Sequence, residues 1–266
     1  MNKPIVSIII STYNDQKYLR ASLESVINQT FKDWELIIIN DASTDNTDNI
    51  IKEFMKKDNR IYVIRNKKNK GLTKNLNIGI RKSKGEYIAR IDGDDIWIDK
   101  KKLEKQVSFL QSHKDYGLIG TWAKAIDGDG KELFKLNYPT NNEEIRNVIL
   151  RHNCFIHSSV LFNKKVLDSV GLYNEAYRFA QDFDLWLKIG EKTKISNIPM
   201  NAVLYRINPV GTSVTKYRNQ LGDTLAIIAK HKKNYPHYLK SRILWNLRKL
   251  YPFWIRISIG RIMNHV

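Results

Sequence analysis

An α/β fold with a largely parallel sheet is predicted by three observations. Short β-branched runs at residues 6–10, 36–39, 61–64 and 88–91 alternate with stretches of helical spacing, the rhythm of right-handed crossovers. Three of those runs stop in polar clusters: Thr12-Tyr13-Asn14, Asn40-Asp41 and Asp92-Gly93-Asp94-Asp95. The apolar share of 42% over 266 residues is enough for a sizeable core.

Taken in order, Val6-Ser7-Ile8-Ile9-Ile10 reads as a buried strand, and residues 18–29 place Leu19, Leu23, Val26 and Ile27 on one helical face. Leu36-Ile37-Ile38-Ile39 is the second strand, followed by a helical pattern through Ile50, Ile51, Phe54 and Met55. Residues 61–64 form the third, a basic loop covers 65–71, and a helix spans 72–80. Gly85 then introduces the strand that runs into Asp92. Beyond it the pattern becomes mixed α+β. An amphipathic helix over 101–112 carries Leu103, Val107 and Leu110, a strand covers 118–122, and a hairpin turns around Gly128 and Gly130. Further strands are expected at 155–162 and 202–206, and a helix at 183–189.

A single cysteine, Cys154, excludes an internal disulfide and fits a reducing compartment. Neither a leader nor an apolar run long enough to span a bilayer is visible, so a cytoplasmic location is expected, with peripheral membrane contact open. The formal charge of +18 points to a polyanionic partner. It is concentrated in the tail, where Asp223 is the only acid after Lys216. There Ile243, Leu247, Leu250, Tyr251 and Trp254 recur at helical spacing, with Ile255, Ile259 and Ile262 beyond Pro252. This tail, residues 216–266, reads as a basic interfacial helix on an anionic membrane or as a helix packed on the rest of the chain. No nucleic-acid-binding module is present, and no nucleic acid is expected as a partner.

The three carboxylates around Gly93 repel one another unless a cation or positive partner lies among them. One or two carboxylates combined with substrate phosphates are a usual way to hold Mg²⁺ or Mn²⁺; a solvated acidic turn is the plain alternative. If the strands are parallel neighbours, all three polar clusters share one carboxyl edge, where open α/β sheets bind ligands. Tyr13 could then stack on a base and Asp41 could accept from a base N–H or a ribose hydroxyl.

The order of these clusters resembles the family 2 glycosyltransferases, inverting enzymes of the GT-A fold. The resemblance rests on residues 6–14, Asn40-Asp41-Ala42-Ser43-Thr44-Asp45, Gly71-Leu72-Thr73-Lys74-Asn75, Gly85-Glu86-Tyr87-Ile88 with Asp92-Gly93-Asp94-Asp95, and Gln181-Asp182-Phe183-Asp184-Leu185-Trp186. It implies that Thr12, Tyr13, Asn14 and Asp41 line a base and ribose pocket, with Lys74 near the sugar or diphosphate. It implies that Asp92 and Asp94 form the D-x-D metal pair, Asp94 being the more direct ligand, with Asp95 facing the donor sugar or supporting the loop. Asp182 takes the place of the catalytic base, although acids in the first turn of a helix also favour its dipole. His157, Trp122 and Asp184 fall on the acceptor side, where a structural role is the alternative for each. Asn40 and Ala42 stand where the family usually has Asp and Gly, Gln181 replaces a common Glu, and Asn208 stands where relatives often have His.

The implied activity is metal-dependent transfer of one sugar from a nucleotide diphosphate donor, UDP-sugar favoured, to a hydroxyl of a saccharide or lipid-linked saccharide. Residues 1–110 would form the donor half and 111–215 the acceptor half of one GT-A domain. The rivals are a nucleotidyltransferase of similar sheet and, from another class, a basic nucleic-acid-binding protein.

Overall fold

The computed structural model describes residues 3–208 and 215–250. Its centre is a nine-stranded sheet. Strands β1 (Val6–Thr12), β2 (Trp34–Asn40), β3 (Ile61–Arg65) and β4 (Tyr87–Arg90) lie in the order β3-β2-β1-β4, all parallel. The helices between them are α1 (Leu19–Ile27), α2 (Thr47–Lys57) and α3 (Leu72–Lys82). Side-chain alternation along the strands sends Ile8, Ile10, Leu36 and Ile38 to one face, against Leu23 of α1 and Phe54 of α2. Ile9, Ile37 and Ile39 go to the other, against Leu76 and Ile80 of α3. Burial on both faces explains why these strands read as continuous apolar runs.

The chain first builds outward from β1 to β2 and β3, then returns to place β4 on the opposite side of β1. That reversal opens a crevice between the carboxyl ends of β1 and β4. Both Thr12-Tyr13-Asn14 and Asp92-Gly93-Asp94-Asp95 fall there.

The second half extends the same sheet through β5 (Ile96–Trp97), α4 (Lys102–Ser112), β6 (Tyr116–Ile126), β7 (Glu132–Leu136), α5 (Asn142–Val148), β8 (Leu161–Asn163), α6 (Leu167–Val170), α7 (Gln181–Lys192) and β9 (Lys194–Arg206). β8 joins β4 antiparallel, and β6 carries β7 as the predicted hairpin. The strand expected at 155–162 is corrected to three residues. His157–Ser159 is a 3-10 turn, because Phe155 N–H bonds to Asn153 Oδ1 and Ser159 Oγ to the Ile156 carbonyl, local bonds that compete with a ladder. β9 is longer than expected. It reaches back to Lys194 and pairs in parallel with β6 across a register shift, in which the stretch holding Pro199 is left out of the pairing.

After β9 come α8 (Tyr217–Lys230) and α9 (Tyr238–Leu247). Tyr217, Leu221, Ile227, Ile228, Tyr235 and Trp245 enter the cluster that also holds Phe183 and Trp186 of α7. Trp245 Nε1 donates to the Leu150 carbonyl at 2.8 Å. The opposite side of α9 leaves Leu239, Ile243, Leu247 and Leu250 exposed. Tyr251, Trp254, Ile255, Ile259 and Ile262 of the predicted apolar series lie outside the described residues. Among the described residues no helix is long and apolar enough to cross a membrane.

Ala42, just past β2, has φ of 63°, a left-handed conformation that costs a residue with a Cβ about 1–2 kcal/mol. Glycine adopts it freely but loses more freedom on folding. Ala42→Gly is therefore expected to stabilise the fold by about 0.5–1 kcal/mol, measurable as a higher urea midpoint at unchanged slope.

Candidate active site

The loop after β1 is fixed by its own side chains. Thr12, almost fully buried, donates from Oγ1 to Asp15 Oδ2 at 2.7 Å, and the Tyr13 N–H reaches the same oxygen. Asn14 sits at φ of 56°, a conformation that Asn tolerates, and its Oδ1 accepts from Thr44 N–H at 2.9 Å. The loops after β1 and β2 are thereby tied together, while the Tyr13 ring stays 48% exposed and free to stack. Asp41 is buried. Its Oδ1 accepts from Asn66 Nδ2 and Lys70 N–H, and its Oδ2 from Gly71 N–H, each within 2.9 Å. Three of a carboxylate's roughly four acceptor positions are used, which leaves Oδ2 one more. Gly71, at φ of 86°, opens α3, whose first turn presents Lys74 to solvent.

The acidic loop is built around a residue that sequence reasoning passed over. Arg90, the last residue of β4, is 1% exposed and turns its two terminal guanidinium nitrogens onto the Asp92 carboxylate. Asp95 is equally buried: it accepts from Ser158 Oγ and, at 2.7 Å, from Arg206 N–H. Ser158 Oγ also receives the Asp92 N–H, and Arg206 Nε donates to the Asp94 carbonyl. Of the two roles open to Asp95, its contacts are those of loop support, and they join the strand ends of β4 and β9. Among the described residues no side chain bonds to the Asp94 carboxylate. Burial and the carboxylates of Asp92 and Asp15 push its carboxyl up to about 7, and Asp95 is held well above the usual range by burial, Asp94 and Asp92. Asp15, also missed, faces the loop closely enough that a Cβ on Gly93 would lie 2.7 Å from its Oδ2, so any larger residue at 93 would have to displace the Asp15 carboxylate.

This crowd of carboxylates around Asp94 fits a divalent cation, which would relieve the repulsion that raises it. Among the described residues no three His, Cys, Asp or Glu side chains converge as a complete metal site. The protein would thus supply one or two carboxylates, and the remaining ligands would come from a bound diphosphate.

Asp182 opens α7 and accepts from Asn153 Nδ2 at 3.0 Å. Burial raises its carboxyl above the usual range; the Phe183 N–H, the charge of Arg90 and Asn153 draw it partly back. The acidic loop is linked to α7 through neighbouring residues: Ser158 Oγ accepts the Asp92 N–H and the adjacent His157 ring packs on Trp186 of α7, while the charge of Arg90 acts on both Asp182 and Tyr173. His157 itself is half-buried, with Nε2 2.9 Å from Tyr173 Oη and its ring against Trp186. Burial, with Arg90 beside it, holds the imidazole well below its usual range, that is, neutral.

Asp184 does not join them. It is fully buried and bound to Lys230 at 2.9 Å and His231 at 3.2 Å on the C-terminal side, with Lys188 3.4 Å away. Burial works to raise it, yet the bonds from His231 and Lys230 hold it at about 2. Its partners make it a tie between α7 and α8. Trp122 on β6 donates from Nε1 to the Tyr138 carbonyl at 2.8 Å, a half-buried packing position.

The comparisons with known proteins agree with this architecture. The family model described as glycosyl transferase family 2 matches residues 7–171. An uncharacterized glycosyltransferase of Methanocaldococcus jannaschii is 32% identical over 93% of this chain and 86% of its own length. The putative teichuronic acid biosynthesis glycosyltransferase TuaG of Bacillus subtilis is 30% identical over 80% and 82%. Among solved structures, S. aureus TarS 1–349 in complex with UDP-GlcNAc superposes with a TM-score of 0.70 at 19% identity, over 90% of this chain and 70% of that one. The chain spans 41% of a longer TarS chain. The mannosyltransferase PcManGT of Pyrobaculum calidifontis, in complex with GDP-Man and Mn²⁺, gives a TM-score of 0.69 at 17% identity, over 92% and 70%. The fold is GT-A, and the chain belongs to the family 2 glycosyltransferases.

Proposed function

We propose that the chain moves one sugar from a nucleoside diphosphate donor, preferentially a UDP-sugar, to a hydroxyl of a saccharide or lipid-linked saccharide in cell-surface polysaccharide synthesis. Transfer proceeds with inversion. The observation that carries this reading is the linkage of the acidic loop, at the sheet's switch point, to the helix that bears Asp182: Ser158 bonds to Asp92, the adjacent His157 packs on Trp186 of α7, and the charge of Arg90 acts on Asp182. Support for the donor class comes from the UDP-GlcNAc and GDP-Man complexes of the structural neighbours, and for the pathway from the name of TuaG.

Tyr13 stacks on the base, the remaining acceptor position of Asp41 Oδ2 takes a base N–H, and Asn14 holds the two loops that form the pocket. Lys74 neutralises diphosphate charge. Asp94, with Asp92, would hold Mn²⁺ or Mg²⁺, which supplies Lewis-acid stabilisation of the departing diphosphate. The acceptor oxygen attacks the anomeric carbon from the face opposite the diphosphate as the glycosidic C–O bond breaks. Asp182 receives the hydroxyl proton, and the nucleoside diphosphate leaves with the bonding pair. Residues 1–110 are the donor half and 111–215 the acceptor half of the domain. Incubation with UDP-GlcNAc, Mn²⁺ and an accepting glycoside should release UDP; release of N-acetylglucosamine 1-phosphate instead would indicate transfer of the uridylyl group and overturn the reading.

The same proposal takes the acceptor to an anionic membrane surface through α9. Its outward side, continued by the 3-10 turn Arg248–Leu250, presents Leu239, Ile243, Leu247 and Leu250 in a shallow groove, with Lys240, Arg242 and Lys249 exposed alongside. Each base contributes about 1 kcal/mol near such a surface, so the apolar side chains must supply the binding that survives salt. The protein should co-sediment with phosphatidylserine vesicles, and Ile243→Ser with Leu247→Ser should weaken that at least tenfold without changing the melting temperature. Full-length protein that ignores such vesicles at low salt would remove the membrane role.

A further inference from the structure

Beside Asp182 lies a cavity of about 150 Å³ whose far wall is the C-terminal helices. Asp182, Asn153 and Phe183 lie on the near side; Gln220, Leu221 and Thr224 of α8 and Trp245 of α9 lie opposite, with Ala180 and Tyr217 completing the lining. The matched family region ends at residue 171, so the wall formed by α8 and α9 belongs to the part of the chain that lies beyond it. The helices are held in place independently of any ligand: Lys230 and His231 grip Asp184, Phe179 N–H donates to Asp223, and Trp245 bonds to Leu150.

We propose that this cavity is the subsite for the acceptor's terminal sugar, and that it selects an uncharged ring, a hexose or an acetamido-hexose, over a uronic acid or a phosphate-bearing residue. The inference rests on Asp182 being the base and deepens that reading by naming the acceptor class. A cavity of this size admits one six-membered ring. Its lining is mixed in the way a pyranose needs. Phe183, Leu221 and Trp245 offer apolar surface to the ring's C–H faces, while Asn153, Gln220 and Thr224 offer hydrogen-bonding groups to its hydroxyls. Among the described lining residues there is no lysine, arginine or histidine, and the one charge is the carboxylate of Asp182. Arg90, whose charge acts on Asp182, lies outside the lining and is ion-paired with Asp92. A second anion placed in this cavity would meet a like charge with no cation in the described lining to offset it. A neutral ring brings a hydroxyl to Asp182 with no such cost.

Saturation-transfer NMR on the full chain tests this with methyl glycosides as probes: neutral methyl glucoside, galactoside and N-acetylglucosaminide against methyl glucuronide and methyl glucoside 6-phosphate. At least one neutral probe should give signals, the anionic ones should not, and Leu221→Trp, which fills the cavity, should abolish them. Gln220→Ala, at a half-buried position on α8, is the milder variant and should weaken the signals at least fivefold. UDP-GlcNAc affinity should stay within twofold of wild type in both. Signals from the anionic probes alone, from no probe, or undiminished in both variants would overturn the subsite. Those outcomes leave the base reading standing, because that reading fails separately, if Asp182→Asn retains its kcat.

Discussion

Asp182→Asn is expected to lower kcat by a factor on the order of 10² or more while changing donor affinity less than twofold. The substitution keeps size and the Asn153 contact but removes the group that accepts the acceptor's proton. Because burial raises this carboxyl above its ordinary range, the base ionises at a higher pH than a free aspartate. The acid limb of the wild-type kcat profile should accordingly lie above the ordinary carboxylate range and vanish in the variant. The stability sign runs the other way. A carboxyl whose folded pKa is raised contributes stability that is present below its unfolded pKa and lost as pH rises through the folded one. At neutral pH Asp182→Asn should therefore melt no lower than wild type. Loss of donor binding would instead put Asp182 in the nucleotide site, and a normal kcat would remove it from the chemistry.

Asp94→Asn should abolish Mn²⁺-supported turnover, by on the order of 10²-fold or more, with a folded protein. Asp94 lies at the rim, half-buried, and its carboxyl is pushed up to about 7 by burial, Asp92 and Asp15. In the metal-free protein this group contributes stability below about pH 4 that is lost as pH rises through 7. Metal-free Asp94→Asn should thus melt higher than metal-free wild type at pH 8 and equally at pH 4. Wild type should gain melting temperature with Mn²⁺ and UDP, and the variant should not. Full Mn²⁺-dependent turnover by the variant would contradict the assignment.

Much of this site was legible because strand ends announce themselves. An apolar run that stops in Thr12-Tyr13-Asn14 or Asp92-Gly93-Asp94-Asp95 marks both a buried strand and the rim where it surfaces. Three parallel strands then force those rims together. What stayed hidden depends on contacts between segments far apart in sequence. Arg90 breaks the apolar run two residues before Asp92, and a cation inside a buried strand was the available signal for it. Asp15 stood within the loop already singled out, yet only the close approach of Gly93 shows that it adds to the acidic crowd. The resemblance set Asp184 on the acceptor side, with a structural role as the alternative. Two residues on from Asp182 along a helix, however, points a side chain to a different face, and Asp184 meets Lys230 and His231 instead. The tail was read from its charge and apolar spacing. Its packing side, with Trp245 and Leu221, uses residues that periodicity alone does not separate from the outward Ile243 and Leu247.

The stereochemistry of the product tests the central claim most directly. Proton NMR of a reaction begun with the α-linked donor UDP-GlcNAc, with Mn²⁺ and an accepting glycoside, reads the anomeric configuration as the new bond forms. A single base at Asp182 acting opposite the departing diphosphate predicts a β-linked product from the first turnover, with one UDP released per bond. An α-linked product would contradict direct displacement and the role given to Asp182.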